Sequence, residues 1–369
     1  MHVVEFLGRV WEALTRRIDG FLLAVALGLV GVGLITLFSA TDQSVGRVTT
    51  QALSLAFALV LMWIVANISP MTLSRVAVPL YVTAVLLLVG VALFGVVVNG
   101  SRRWLNIGVA RIQPSELMKI ALPLMLAWYF QKFEGRITWK DFAIAAVLIV
   151  VPVYLIKRQP DLGTSLLIAA SGFYVLFLAG LSWKVIVGMM ALGAAAGPMV
   201  WGHLHDYQRE RILTFIEPGR DPLGTGYHST QASIAIGSGG VIGKGWLNGT
   251  QTHLDFLPER HTDFIFAVFG EEFGLIGNGL LLLLYLLLIG RAMVITANAS
   301  TLFARLLAGA VTLMFFTYAF VNMGMVSGVL PVVGVPLPLV SYGGTALVSL
   351  FIGLGILMSV QAHRKLVNT

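Results

Sequence analysis

Ten stretches of this chain are apolar over about the length needed to cross a bilayer: near residues 20–39, 50–68, 76–98, 115–130, 142–156, 165–181, 183–201, 264–290, 303–327 and 335–360. In hydrocarbon every backbone N–H and C=O must find a partner within the protein, so runs of this length fold as helices. The expected fold is an all-α polytopic membrane protein of about ten transmembrane helices, with both ends on one side. One long connection, 202–263, separates the seventh and eighth spans. The fourth and fifth runs are short by this measure, which predicts tilting, a thin bilayer or displaced boundaries. Hydrophobic residues make up 57% of the chain and charged residues 11%, and the mean hydropathy is +0.89, which excludes a soluble protein.

Arg9, Arg16 and Arg17 precede the first run as in a signal peptide, but that run is long and nine more follow, so it reads as an uncleaved signal-anchor. With the N-terminus inside, the inner segments hold Arg9, Arg16, Arg17, Arg75, Lys132, Arg136, Lys140, Lys184, Arg291, Arg305, Arg364 and Lys365. The short outer segments hold half as many: Arg47, Arg102, Arg103, Arg111, Lys157 and Arg158. Short loops report orientation and long ones do not, so residues 1–19 and 361–369 are expected in the cytoplasm and 202–263 outside. The net charge of +7 then suits anionic lipid at the inner face. No basic-aromatic patch points to nucleic acid. The absence of cysteine excludes disulfides, thiolate metal sites and thiol nucleophiles, and no phosphate-loop or dinucleotide fingerprint points to a nucleotide.

Polar chemistry concentrates where spans begin on the outer side. The stretch Leu257-Pro258-Glu259-Arg260-His261-Thr262-Asp263-Phe264-Ile265-Phe266 carries a carboxylate to the membrane surface, and Glu271 and Glu272 follow about two helical turns further in. Ionisable groups at that depth are costly and point to function. Asp263 equally suits an ordinary helix start, its charge facing the positive end of the dipole. Gln113-Pro114-Ser115-Glu116 opens the fourth span, and Gln159-Pro160-Asp161-Leu162-Gly163-Thr164 leads into the sixth. Each alone is a good helix start; three acids at one depth point to a shared site. Lys119, three residues after Glu116, shares its helix face and is expected to pair with it. Arg102, Arg103 and Arg111, Lys157 and Arg158, and Arg209 and Arg211 flank these acids, either as phosphate ligands or as a solvated rim.

The connection 202–263 is rich in glycine from Tyr227 to Gly249 yet holds apolar residues such as Ile234, Ile236, Trp246 and Leu247. That mixture predicts a segment lying in the interface or folding back over the helices. The last span is interrupted by Pro331, Gly334, Pro336, Pro338 and Ser341-Tyr342-Gly343-Gly344-Thr345, either as a kink or as irregular backbone lining a cavity.

These motifs together resemble the SEDS family (shape, elongation, division and sporulation). The resemblance runs through Arg103-Trp104-Leu105, Gln113 to Lys119, Gln159 to Thr164, Leu257 to Phe266 with Glu271-Glu272, and Pro336-Leu337-Pro338-Leu339-Val340-Ser341-Tyr342-Gly343-Gly344, so it spans nearly the whole chain as one domain. The stretch Gly243 to Gln251 is nearer the elongation branch than the division branch. The resemblance implies a peptidoglycan glycosyltransferase that polymerises lipid II on the outer face of the cytoplasmic membrane. It also implies a class B penicillin-binding protein and other elongation proteins as partners, and Asp263 as the essential acid.

An α-linked donor and a β-1,4 product mean inversion, which needs a base towards the attacking hydroxyl and stabilisation of the departing oxygen. Asp263 is assigned the base. Arg103, Arg111, Lys119 and Arg158 are candidates for pyrophosphate, Asp161 for positioning substrate, and Glu116, Lys119, Glu271 and Glu272 for supporting the site. The family's association with Mg²⁺ or Mn²⁺ suits a pyrophosphate, although no dedicated metal-ligand spacing is present. Two other readings share these features: a lipid II flippase, which needs no base, and a non-catalytic scaffold for wall-synthesis partners.

Overall fold

Each of the ten apolar runs contains a helix in the computed structural model, which describes residues 16–98, 101–106, 111–159, 161–203, 209–210, 213–215, 217, 225–254, 256–257 and 259–364. The spans are α1 (Gly20–Ala40), α2 (Val45–Asn67), α3 (Pro70–Phe94), α4 (Pro114–Lys132), α5 (Trp139–Lys157), α6 (Leu162–Leu178) and α7 (Trp183–His203), and then, after the long connection, α10 (Ile265–Ala297), α11 (Leu302–Val326) and α12 (Gly344–Ala362). The connection contributes α8 (Thr225–Ser238) and the single turn α9 (Thr250–His253). Local chemistry starts these helices. The Asp19 carboxylate accepts the Leu22 N–H at 2.9 Å, the Ser69 hydroxyl accepts Thr72 N–H ahead of Pro70, and Thr138 and Asp141 cap α5 reciprocally.

The fourth and fifth spans are not short. Each is 19 residues, because polar ends such as Gln131 and Lys132, or Lys140 and Asp141, continue helices that hydropathy alone cuts off. The third span starts earlier, at Pro70, and stops at Gly95. Its expected tail Val96–Val98 is instead strand β1, antiparallel to β2 (Ser101–Asn106), which pairs with β3 (Arg111–Ile112) in a small three-stranded sheet. The β-branched valines suit a strand. The last span starts at Gly344 rather than 335, because Pro331, Pro336 and Pro338 lack the N–H that a helix needs.

The bundle is layered by burial. In α11, 67% of the membrane-spanning window is enclosed by protein, against 17% in α2, so α11 forms the centre with α4 and α12 while α2 turns apolar side chains such as Phe57 outward. Lipid contact accounts for those exposed faces.

The eighth span is longer than expected, 33 residues, and is broken at Gly274 (φ 64°, ψ −159°). A break leaves carbonyls on one side and N–H groups on the other without partners. The glycine-rich connection supplies them: Lys244 and Gly245 donate to the carbonyls of Glu271 and Glu272 at 3.1 and 3.0 Å, while Leu275 and Ile276 donate to the carbonyls of Gly240 and Val241 at 2.9 and 3.1 Å. The connection thus folds back over the helices, and the Trp246 indole reaches the Ile35 carbonyl of α1 at 3.2 Å. A side chain at Gly274 would place its Cβ 2.3 Å from the Gly243 nitrogen at a positive φ. Gly274→Ala is therefore expected to destabilise the protein by about 1–3 kcal/mol, measured as a lower melting temperature in detergent; an unchanged melting temperature would mean that the clasp does not hold the break.

Candidate active site

Three helix starts and the irregular segment 331–343 meet at one end of the bundle. Pro114 at the first position of α4 places Glu116 in the first turn, where one carboxylate oxygen accepts Lys119 Nζ at 2.7 Å and the other accepts the Ser349 hydroxyl of α12 at 2.7 Å. This is the expected pair, and it is nearly enclosed, with side chains 13% and 7% exposed. Lys119 also lies over the ring of Tyr318 from α11, 5.2 Å from its centroid. Asp161 caps α6 by accepting Thr164 N–H at 3.1 Å, and its second oxygen is 3.5 Å from Nε of Arg103 on β2. Tyr318 packs with Leu167 of α6 and with Val335, which ties this cluster to the irregular segment.

Asp263 lies two residues before α10. A Cβ at Gly334, where φ is +73°, would stand 3.3 Å from its Oδ2, and a Cβ at Gly163 in the first turn of α6 would stand 2.6 Å from the Val333 carbonyl. The start of α6, through Gly163, and the Asp263 carboxylate therefore both approach the Val333–Gly334 backbone, and Lys119 joins them through Tyr318, which packs on Val335. Asn322 of α11 fixes the geometry, its side-chain amide donating to the carbonyls of Asp263 and Val335 at 2.8 and 2.7 Å. Ser341 donates to the Thr262 carbonyl at 2.6 Å and accepts Leu337 N–H at 2.8 Å; Tyr342 N–H donates to the His261 carbonyl at 3.0 Å. Burial, and after it the Arg47 guanidinium, holds the His261 imidazole below its usual pKa, so this neighbour of Asp263 is neutral at neutral pH.

Glu271 and Glu272 lie deeper and support the long connection. Buried Glu271 accepts Lys244 Nζ at 2.7 Å, the Gln251 N–H at 2.9 Å and the Thr250 and Thr252 hydroxyls at 3.1 Å each, while Glu272 accepts the Ser39 hydroxyl of α1. From the segment so fixed, the Thr252 carbonyl accepts Arg260, which also pairs with Asp42 at 2.6 Å. Arg158 is not gathered into the cluster; its guanidinium sits over the Tyr154 ring, 5.3 Å from the centroid. Arg209 closes the end of α7, donating to the carbonyls of Trp201 and Gly202 at 3.0 and 2.8 Å. Arg111 pairs in β3 with Asn106; its side chain, like Pro160, Arg211 and Pro258, lies outside the described residues.

A cavity of about 430 Å³ opens between α2, α4 and α12, walled by Phe57, Leu117, Ile120, Val348 and Ile352, with Glu116 at its polar side. Among the described residues no three His, Asp or Glu side chains form a group able to hold a metal ion, and both Glu116 and Asp161 are engaged in ion pairs, so these residues do not fit a dedicated divalent site. Tyr318, Asn322, Ser349 and Lys244 are site or support residues that sequence reasoning missed. The signal for Tyr318 and Asn322 was present as polar groups inside an otherwise apolar span.

Removing Glu116 leaves Lys119 charged in a dry place. Glu116→Gln is expected to cost about 3 kcal/mol or more, seen as a lower melting temperature, and Glu116→Gln with Lys119→Met is expected to recover most of it. If the double variant melts no higher than the single one, the pair is not what Glu116 contributes to stability.

Comparison with known proteins gives the family of the chain. Residues 18–366 match the model of a family described as cell cycle protein, which takes in FtsW, RodA and SpoVE. The peptidoglycan glycosyltransferase MrdB of Escherichia coli is 50% identical over 353 residues, 95% of each chain, and the stage V sporulation protein E of Bacillus subtilis is 33% identical over 361 residues, 94% of this chain and 98% of that one. Among solved structures, a chain of a peptidoglycan synthase complex that coordinates polymerization and crosslinking superimposes with a TM-score of 0.82 at 34% identity, covering 94% of this chain and 99% of that one. The rod shape determining protein RodA of Thermus thermophilus gives 0.71 at 31% identity, covering 94% and 97%. The chain is a multi-pass membrane protein of the FtsW/RodA/SpoVE family.

Proposed function

We propose that this chain polymerises lipid II, the undecaprenyl-pyrophosphate-linked disaccharide-peptide, with Asp263 as general base. It is a peptidoglycan glycosyltransferase, as its 50%-identical relative MrdB is named. The observation that carries the assignment of Asp263 is its placement against Gly334, in the segment that the start of α6 also approaches through Gly163, on a backbone pinned by Asn322. The Asp263 carboxylate takes the proton of the acceptor 4-hydroxyl. The oxygen attacks the anomeric carbon of the donor, the bond from that carbon to the phosphate oxygen breaks, and undecaprenyl pyrophosphate leaves with the electron pair, inverting the centre. A pyrophosphate leaving group needs cationic compensation more than protonation, which is assigned to Arg103 and Lys119. No step is assigned to a divalent ion. The apolar cavity beside Glu116 suits the polyprenyl chain of the substrate.

The excess of basic residues at the opposite end of the spans supports a cytoplasmic location for both termini and an outer-face location for Asp263. A class B penicillin-binding protein is the proposed partner during elongation, in keeping with the synthase complex that the fold resembles. Lipid II polymerisation by the complex of the two proteins is the test. Asp263→Ala is expected to abolish glycan strands, a loss of at least about 100-fold, while the complex stays intact on size-exclusion. Equal polymerisation by variant and wild type would remove Asp263 as base; no polymerisation by either would return the lipid II flippase reading.

A further inference from the structure

At the end of the bundle remote from Asp263, the entry to α1, the second half of α10 and the end of α12 enclose a cavity of about 340 Å³. Among the described residues four arginines line it, Arg16, Arg17, Arg291 and Arg364, with one carboxylate, Asp19. That carboxylate is already committed. It caps α1 through Leu22 N–H and accepts Nε and Nη2 of Arg291 at 3.1 and 2.5 Å, and the Asp19 side chain is only 4% exposed. Arg17 donates to the Asn67 carbonyl at the end of α2 at 2.6 Å, which spends one of its five N–H groups. Arg16 and Arg364 are exposed at the mouth. A concave site with an excess of three positive charges, built from guanidinium forks at a membrane surface, matches a phosphate group in chemistry and in size.

We propose that this cavity binds the phosphate of an anionic lipid headgroup, tying α1, α10 and α12 together at the leaflet opposite the active site. A phosphodiester in that cavity accepts from Arg16 and Arg364 without disturbing the Asp19–Arg291 pair, and its acyl chains lie along the exposed apolar faces of the neighbouring spans. Assigning the leaflet as cytoplasmic rests on the topology proposed above; the binding itself, and its test, do not depend on any role of Asp263.

The test is native mass spectrometry of the full chain in detergent with phosphatidylglycerol or phosphatidylcholine, supported by melting curves. Wild type is expected to retain phosphatidylglycerol over phosphatidylcholine. Arg16→Gln with Arg364→Gln is expected to weaken that retention by about tenfold or more at an unchanged melting temperature, whereas Arg305→Gln, an exposed arginine on α11 outside the cavity, leaves it intact. If the double variant folds poorly, Arg364→Gln alone carries the comparison. Equal retention of the two lipids, equal retention by wild type and variant, or an equal loss in Arg305→Gln would overturn the proposal. Displacement of phosphatidylglycerol by millimolar inorganic phosphate would assign the cavity to free phosphate and overturn the lipid assignment.

Discussion

Irregular backbone inside a membrane is permitted only when each freed polar group finds a partner, and the site of this protein depends on how segment 331–343 meets that demand. Three prolines and a run of turns prevent a helix there, and side chains from three spans take over missing bonds. Asn322 of α11 holds Val335, Tyr285 of α10 donates to the Pro338 carbonyl at 2.6 Å, and Gln51 of α2 bonds both the Ser341 carbonyl and the Gly343 N–H at 3.3 Å. His261 and Thr262 are bonded to that same segment, and Asp263 shares with it the Asn322 amide, so the position of the proposed base is inherited from it. The break at Gly274 poses the same problem in α10, and there backbone from the long connection answers it. Two irregularities, each satisfied by a different part of the chain, leave Asp263 between two rigid supports.

The charges follow a similar division. Taking an ion from water costs several kcal/mol, so buried ions persist where they are paired and hydrogen-bonded. Glu116–Lys119 and Glu271–Lys244 meet this condition within the protein: each carboxylate has a lysine and further donors. Arg103–Asp161 is looser, at 3.5 Å with the Arg103 side chain 34% exposed. A pair that is long and open to solvent costs less to rearrange around an incoming pyrophosphate than one that is short and enclosed. In the reaction proposed above, Arg103 is the more exposed of the two cations and Lys119 the enclosed one.

The helices were legible because hydrocarbon length and apolar runs impose one another, and the three acids stood out because their cost at that depth is high. What hydropathy cannot register is where polar residues extend a helix, as at Lys140 and Asp141, or where an apolar run stops being one, as at Gly95 and the valines after it. It also cannot separate Arg103 from Arg158. Both are arginines just ahead of an acid-bearing span start, and only the strand that carries Arg103 directs its guanidinium to Asp161, while the end of α5 lays Arg158 over Tyr154. Lys244 was hidden for a related reason. Its partner Glu271 is 27 residues away, and nothing local marks a loop lysine as the counter-ion of a buried acid.

A lipid-linked sugar is half polar and half hydrocarbon, and a site for it must sit where the protein changes from one to the other. Glu116 lies at that change: one side of it borders the apolar cavity between α2, α4 and α12, and through Lys119 and Tyr318 the other side borders the charged cluster beside Val335. In the reaction proposed above, a polyprenyl chain in the cavity would bring its pyrophosphate to the Lys119 side of Glu116. Inversion at the anomeric carbon then demands that the acceptor hydroxyl approach from the face opposite the leaving group, which is the part proposed for Asp263.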